Sequence, residues 1–294
     1  MFRKVTALFL ALGLIGCLSV TAAADGTGTN EGYLILGADL SADQKATVYD
    51  LLNIQDDSRY TISYTTNQEE HEALDGYLSA SVIGSKALSS ILLIPGEEGS
   101  GLSIEAYNIT YCTISMYQNA LLDAGVQDCD IHIAAPSGVS GTCALVSAMK
   151  AYATMTGETI STHAADTAVN ELVTTGEVGD QIGDNDKAAQ LIAALKQKML
   201  EDNLNEEDIA AALDQICTNM NINISADLKQ DIVNLMLKVK DTNIDVDALK
   251  QQAGNLYSQI QDTVAGLDID TEAAVGFLEK LLQAILDFFR SFLQ

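Results

Sequence analysis

The chain has 294 residues, with 41 acidic side chains against 15 basic ones and a formal net charge of −26. That balance repels nucleic-acid phosphates and anionic membrane surfaces and excludes the nucleic-acid-binding classes. It suits cations, a basic protein or a cationic wall component as partners. A hydrophobic content of 48% with only two prolines excludes a disordered chain and calls for a large core.

The first segment reads as an export signal spanning residues 1–24. Arg3 and Lys4 form a positive n-region, Val5 to Val20 an apolar stretch, and Ala22-Ala23-Ala24 the small residues of a cleavage site before Asp25. The apolar stretch falls short of the ~20 residues of a spanning helix, so no transmembrane segment is expected after cleavage. A competing processing route starts from Leu14-Ile15-Gly16-Cys17, which resembles a lipobox and makes Cys17 a candidate for lipidation. The expected location is secreted or cell-surface. Residues 25–32, rich in Gly, Thr and Asn, read as a flexible leader.

From Tyr33 strand and helix signals alternate. Tyr33–Leu36 is a short apolar strand, and Ser41 caps a helix whose apolar face holds Val48, Leu51 and Leu52. Arg59–Thr65 alternates at period two and predicts a half-buried strand; Asn67 is expected to cap an acidic helix. Leu88–Ile94 and Leu102–Ile109, joined by a Gly-rich turn, predict a β-hairpin. A helix over Thr113–Ala124, a strand over Cys129–Ala134 and a helix over Ser140–Met155 complete the unit. The order argues for an α+β (or α/β) domain over 33–183, a mixed sheet covered by helices.

Beyond Gly157 the segments carry 3.6-residue apolar periodicity instead. Leu204-Asn205, Ile224-Ser225, Val246-Asp247 and Ile269-Asp270 each set an apolar residue before a capping residue. They predict an antiparallel helical bundle over 184–294. Its last helix, Glu272–Gln294, is Phe-rich and suits a core or partner groove better than a membrane surface, because its polar stripe is poor in Lys and Arg.

Candidate chemistry is sparse. Ser137, Gly138, Ser140, Gly141 and Thr142 lie where a strand hands over to a helix, where free backbone N–H groups can hold a ligand. Helix capping alone explains such a turn equally well. Ser147 and Lys150 match S-x-x-K, but the companion motifs of that acyl-transfer chemistry are missing. His71, His132 and His163 lie in separate segments. Asp241, Asn243, Asp245 and Asp247 imitate the start of a calcium loop that then fails at Val246 and Gln252. No catalytic residue, metal site or cofactor is expected. Cys112, Cys129, Cys143 and Cys217 permit disulfides in an exported chain, although buried thiols serve a core of this size as well.

Several stretches resemble a known family. LGADLSADQKATVYDLL (Leu36–Leu52), VIGSKALS (Val82–Ser89), EGSGLSIEAYNITYCT (Glu98–Thr113), NALLDAGV (Asn119–Val126), SGVSGTCALVSAMKAY (Ser137–Tyr152) and NELVTTGEVGDQIG (Asn170–Gly183) are similar to the YpuA-like family. These are exported proteins of Gram-positive bacteria whose domain has no known function. The resemblance implies export and an envelope or extracellular life, and it transfers no functional residue. The favoured reading is a non-enzymatic interaction module at the cell envelope. The alternative is an enzyme acting on wall or lipid components at the Ser137–Thr142 turn.

Overall fold

Leu34, Ile35 and Leu36 are consecutive residues of strand β1 (Gly32–Gly37), and all three are buried. A strand buried on both sides needs a layer on each face. The computed structural model, which describes residues 31–242, supplies both layers. The sheet adds β2 (Tyr60–Thr65), β3 (Ser90–Pro95), β4 (Leu102–Ile109) and β5 (Cys129–Val139), in the order β2-β1-β3-β5-β4. The pairs β1/β2 and β4/β5 are parallel, while β3 runs against both its neighbours. It is a mixed sheet with helices, and the class is α+β.

Register sets what each face buries. Leu34 pairs with Leu92, and Ile35 with Ile91, which in turn pairs with Ile133. On one face Leu34, Leu36, Leu92 and Ala134 pack under Val48, Leu52 and Ile54, contributed by α1 (Ala42–Leu51) and the turn after it. On the other, Ile35, Ile91, Leu93 and Ile133 pack against α4 (Ile114–Asp123) and α5 (Thr142–Thr156). Two further helices, α2 (Asn67–Leu74) and the single turn α3 (Ala80–Ile83), lie between β2 and β3 in sequence. The cap of α2 is Thr66, in a capping box with Glu69, and Asn67 is its first helical residue.

The expected hairpin does not form. The two strands flanking the glycine-rich turn are separated by β5, which pairs with β3 on one side and β4 on the other. The turn is tied to the approach of β5 instead: Gly96 N donates to Asp128 O and Cys129 N to Gly101 O. An apolar strand such as β5 gains more from a central position than two outer strands gain from pairing with each other.

Helices α6 (Thr162–Ile182), α7 (Asn185–Asp202), α8 (Glu206–Asn219) and α9 (Ala226–Lys240) follow. Each opens on a capping side chain, from Ser161, Asp184, Asn205 and Ser225 in turn, that accepts a backbone N–H of its first turn. Gly176 and Gly179 lie inside α6, where each costs about 1 kcal/mol in helix propensity relative to Ala. Burial of Leu172, Val173 and Val178 carries the helix through. Thus α6 joins the sheet-side core at Ala168, Val169 and Leu172, and a second core at Val178. Leu195 and Met199 of α7, Leu213 of α8 and Ile232 and Met236 of α9 belong to that second core. The expected export signal, Cys17, the Val246 and Ile269 repeats, most of the calcium-like run and the expected Phe-rich helix fall outside the described residues.

Between α4, α6 and α7 sits a fully buried ionic triad. Lys196 Nζ stands 2.5 Å from both Asp123 Oδ1 and Glu171 Oε2 and donates to Asn119 O. Burial pushes the Asp123 carboxyl well above its ordinary 3.8, the Glu171 charge adds to the rise, and Lys196 opposes it. Burial alone would lower the Lys196 ammonium, but the two carboxylates outweigh it and hold it above 10.5. Asp123 Oδ2 and Glu171 Oε1 have no other partner among the described residues. Burial beside a second carboxyl favours the neutral form of Asp123.

Two substitutions test this balance. Lys196→Met strands two buried acids and is expected to lose about 3–5 kcal/mol in urea denaturation. Asp123→Asn mimics the protonated acid and is expected to stay within about 1 kcal/mol of the parent at acid pH and to be the more stable of the two at pH 7. Because the folded Asp123 value lies above the unfolded one, its contribution is fully present below about 3.8 and falls as pH climbs. The Asn variant therefore loses that decline, which a pH series of unfolding midpoints reads directly.

Candidate functional site

The handover from β5 to α5 is built around a glycine. Val139 ends β5 paired with Ile109, and Cys112 N donates to Ser140 O. Gly141 then takes φ +95° as the N-cap of α5, and its carbonyl accepts from the Tyr117 hydroxyl at 2.6 Å. A Cβ at this position would run into that hydroxyl and into Ile109. Only glycine fits. It also brings no capping side chain, so α5 starts with unsatisfied N–H groups facing the sheet edge.

Glu70 of α2 meets them. Its Oε1 accepts from Thr142 Oγ1 at 2.7 Å, and the carboxyl also accepts from Cys143 N. The side chain is almost fully buried. Burial raises its carboxyl above the ordinary 4.5, and the hydrogen bonds from Thr142 and Asn67 offset that only in part. The negative end of this contact sits where an external anion would otherwise dock at the helix start.

An open cleft of about 310 Å³ lies beside it, lined by Glu70, Ile83, Gly84, Lys86, Ser89, Ser140 and Cys143 among others. It opens at the sheet edge where β1, β2, β4 and β5 end and β3 begins. In open α/β sheets that edge is where ligands bind. Of the five residues singled out in the sequence, Ser140 and Gly141 line the cleft. Thr142 is turned to Glu70, while Ser137 and Gly138 are exposed residues of β5 that do not line it.

A family model described as "Protein of unknown function (DUF1002)" matches residues 36–256. The chain belongs to this family. The "Uncharacterized protein YpuA" of Bacillus subtilis (strain 168) is 38% identical over 258 residues, which cover 87% of this chain and 85% of that protein. No solved structure matches. The DUF1002 match runs through the sheet and α6–α9 alike.

Other candidate chemistry in this DUF1002 chain is committed elsewhere. Ser147 Oγ donates to Thr65 Oγ1 at 2.9 Å, whereas Lys150 Nζ holds Glu69 at 2.7 Å and Tyr64 O at 2.6 Å. The lysine of the S-x-x-K match therefore points away from base duty on its serine. His132 pairs with Glu105 across two strands, and His163 meets the Lys238 carbonyl. Among the described residues no three His, Cys, Asp or Glu side chains gather as a metal site requires, and no helix is long and apolar enough to cross a membrane.

Sequence reading missed Glu70, because an acid in a first helical turn normally serves the dipole. The available signal was its spacing: Glu70 and Leu74, four apart, share the buried face of α2. Glu171 hides in the same way among the buried residues of α6.

Glu70→Ala strands the Thr142 hydroxyl and an α5 N–H, and the expected loss is about 1–3 kcal/mol by chemical denaturation. The thiols supply a second check. Cys112, Cys129, Cys143 and Cys217 are buried free thiols. Burial pushes the first three up to about 12 and raises Cys217 as well. Against an ordinary 9.0, the thiolate fraction of those three falls roughly a thousandfold. Ellman's reagent at pH 8 is expected to find these four cysteines unreactive until denaturant is added.

Proposed function

We propose that this chain is an exported, acidic, non-enzymatic interaction module that works at the cell envelope or outside the cell, with the cleft at Ser140–Gly141 as its binding surface. The observation that carries the reading is the state of the groups around the cleft. Glu70 is used as a helix cap, the Cys143 thiol is held protonated by burial, and Ser147 and Lys150 are bonded to separate partners. Recognition needs only the shape and hydrogen-bonding groups that remain. The signal-like residues 1–24 and the net charge of −26 support export and a basic or cationic partner: a wall component, an envelope component or a basic protein.

One observation favours a second reading, an enzyme acting on wall or lipid components. Ser140 Oγ lies 3.2 Å from Thr142 Oγ1, which donates to Glu70, so a chain of hydroxyls links the cleft to a buried carboxyl. Affinity capture against wall fragments and envelope proteins separates the two. Ser140→Trp, which fills the mouth of the cleft, is expected to weaken capture by about tenfold or more, equivalent to about 1.4 kcal/mol, while circular dichroism is unchanged. Turnover of a captured component that stops in Ser140→Ala supports the enzyme instead. Finding the chain inside the cell with Met1 still attached defeats the export reading.

A further inference from the structure

One rim of the cleft is held by a histidine whose two ring nitrogens both face acceptors. His71 Nδ1 lies 2.6 Å from Asp75 Oδ1, one turn further along α2, and Nε2 lies 3.0 Å from the Gly84 carbonyl just past α3. A carboxylate and a backbone carbonyl can only accept, and a neutral imidazole carries a single N–H. Both contacts form together only when the ring carries two protons. Gly84 lines the cleft, as do its neighbours Ser85 and Lys86.

The Gly84 backbone is shaped for this contact. It takes φ +88° and ψ −174°, a region open essentially to glycine alone, and that conformation turns its carbonyl back toward α2. Asn67 Nδ2 donates to the same oxygen at 3.3 Å and also approaches Glu70. The rim is therefore bonded to α2 at two points, and only one of them titrates.

We propose that His71 is a pH-operated latch on the cleft: as imidazolium it ties the Gly84 rim to α2, and as neutral imidazole it lets that rim go. This rests on the reading of the cleft as a binding surface. On losing a proton the ring keeps its N–H on Asp75, the charged and closer acceptor. Nε2 is then left with a lone pair against the Gly84 oxygen. The two repel, and of the two side-chain bonds to the Gly84 oxygen only the weaker Asn67 contact remains.

The charged groups acting on the ring are Asp75, the C-cap residue of α2, and Glu70 on α2, and across the rim it faces the Gly84 carbonyl. Lys86 is the cation of that segment. The Asp75 hydrogen bond first, then the Gly84 carbonyl, raise the ring above its ordinary 6.5, against a small opposing effect of burial. The bridge is fully present below about 6.5 and is lost as pH rises through the higher folded value.

The test is an NMR titration of the full chain carrying ¹⁵N-histidine and ¹⁵N-glycine, without any ligand. His71 is assigned through His132→Gln and His163→Gln, and the Gly84 amide by its loss in Gly84→Ala. The latch requires His71 to titrate above about 6.5, with the Gly84 amide shift following the same midpoint. It also requires Asp75→Asn to lower both midpoints and His71→Gln to abolish the Gly84 titration. A ring that titrates at or below that value overturns it, as does a Gly84 amide that ignores the ring. So does a Gly84 titration that persists in His71→Gln. Because no ligand enters, a cleft that captures nothing leaves the latch standing, and a failed titration leaves the binding reading standing.

Discussion

The fold turns on how α5 enters the core. Its first residue follows a glycine that has no side chain to offer, and its N-terminus points at the edge of the sheet. The unmet N–H groups there would cost about 1–3 kcal/mol each if left buried without partners. Glu70, 72 residues earlier in the chain, provides the missing acceptor. That single contact fixes α2 against α5 and thereby sets the position of the segment around α3 that forms the other side of the cleft. Neighbouring bonds repeat the tie: Lys150 of α5 holds Glu69 of α2, and Ser147 of α5 holds Thr65 at the end of β2. The cleft is a by-product of capping one helix from another.

The same economy governs the other buried charges. In a chain with 41 acidic residues, the described ones include three, Glu70, Asp123 and Glu171, that lie almost wholly out of solvent. Each has a local compensation. Glu70 has backbone and hydroxyl donors; Asp123 and Glu171 share one lysine. The second arrangement lies between the two cores, on α4 and α6 from the sheet side and α7 from the other. An apolar contact would hold the helices together as well, but it would tolerate sliding, whereas a buried lysine fixed at 2.5 Å from two carboxylates tolerates very little.

Much of this was legible from the residues. Strand signals marked β1, β3 and β5, and capping residues marked the starts of α1, α8 and α9, because both signals are local. Strand partnership is not local, and the hairpin expected between β3 and β4 failed for that reason: nothing in either strand says that a third, 20 residues later, will come between them. Gly176 and Gly179 weaken the local helix preference inside α6, and tertiary burial overrides it. At the site, Ser140 and Gly141 were visible as a strand-to-helix turn. The carboxyl that occupies the helix start was not, since its partner in space is remote in sequence. His71 stood in the sequence only as one of three histidines in separate segments. Only the fold brings the Gly84 carbonyl to its second nitrogen.

Capping from within also changes what the cleft can hold. A helix start at a sheet edge ordinarily attracts phosphates and carboxylates through its N–H groups and its dipole. Here that attraction is already spent on Glu70, and an incoming anion would meet a carboxyl at the same place. What remains around the opening are the hydroxyls of Ser85, Ser89 and Ser140, the Lys86 ammonium, and apolar surface from Val82, Ile83 and Leu88. Such a surface suits a ligand that offers hydrogen bonds without a concentrated negative charge. The buried Glu70 carboxyl thus extends the acidic character of the composition to the helix start beside the cleft.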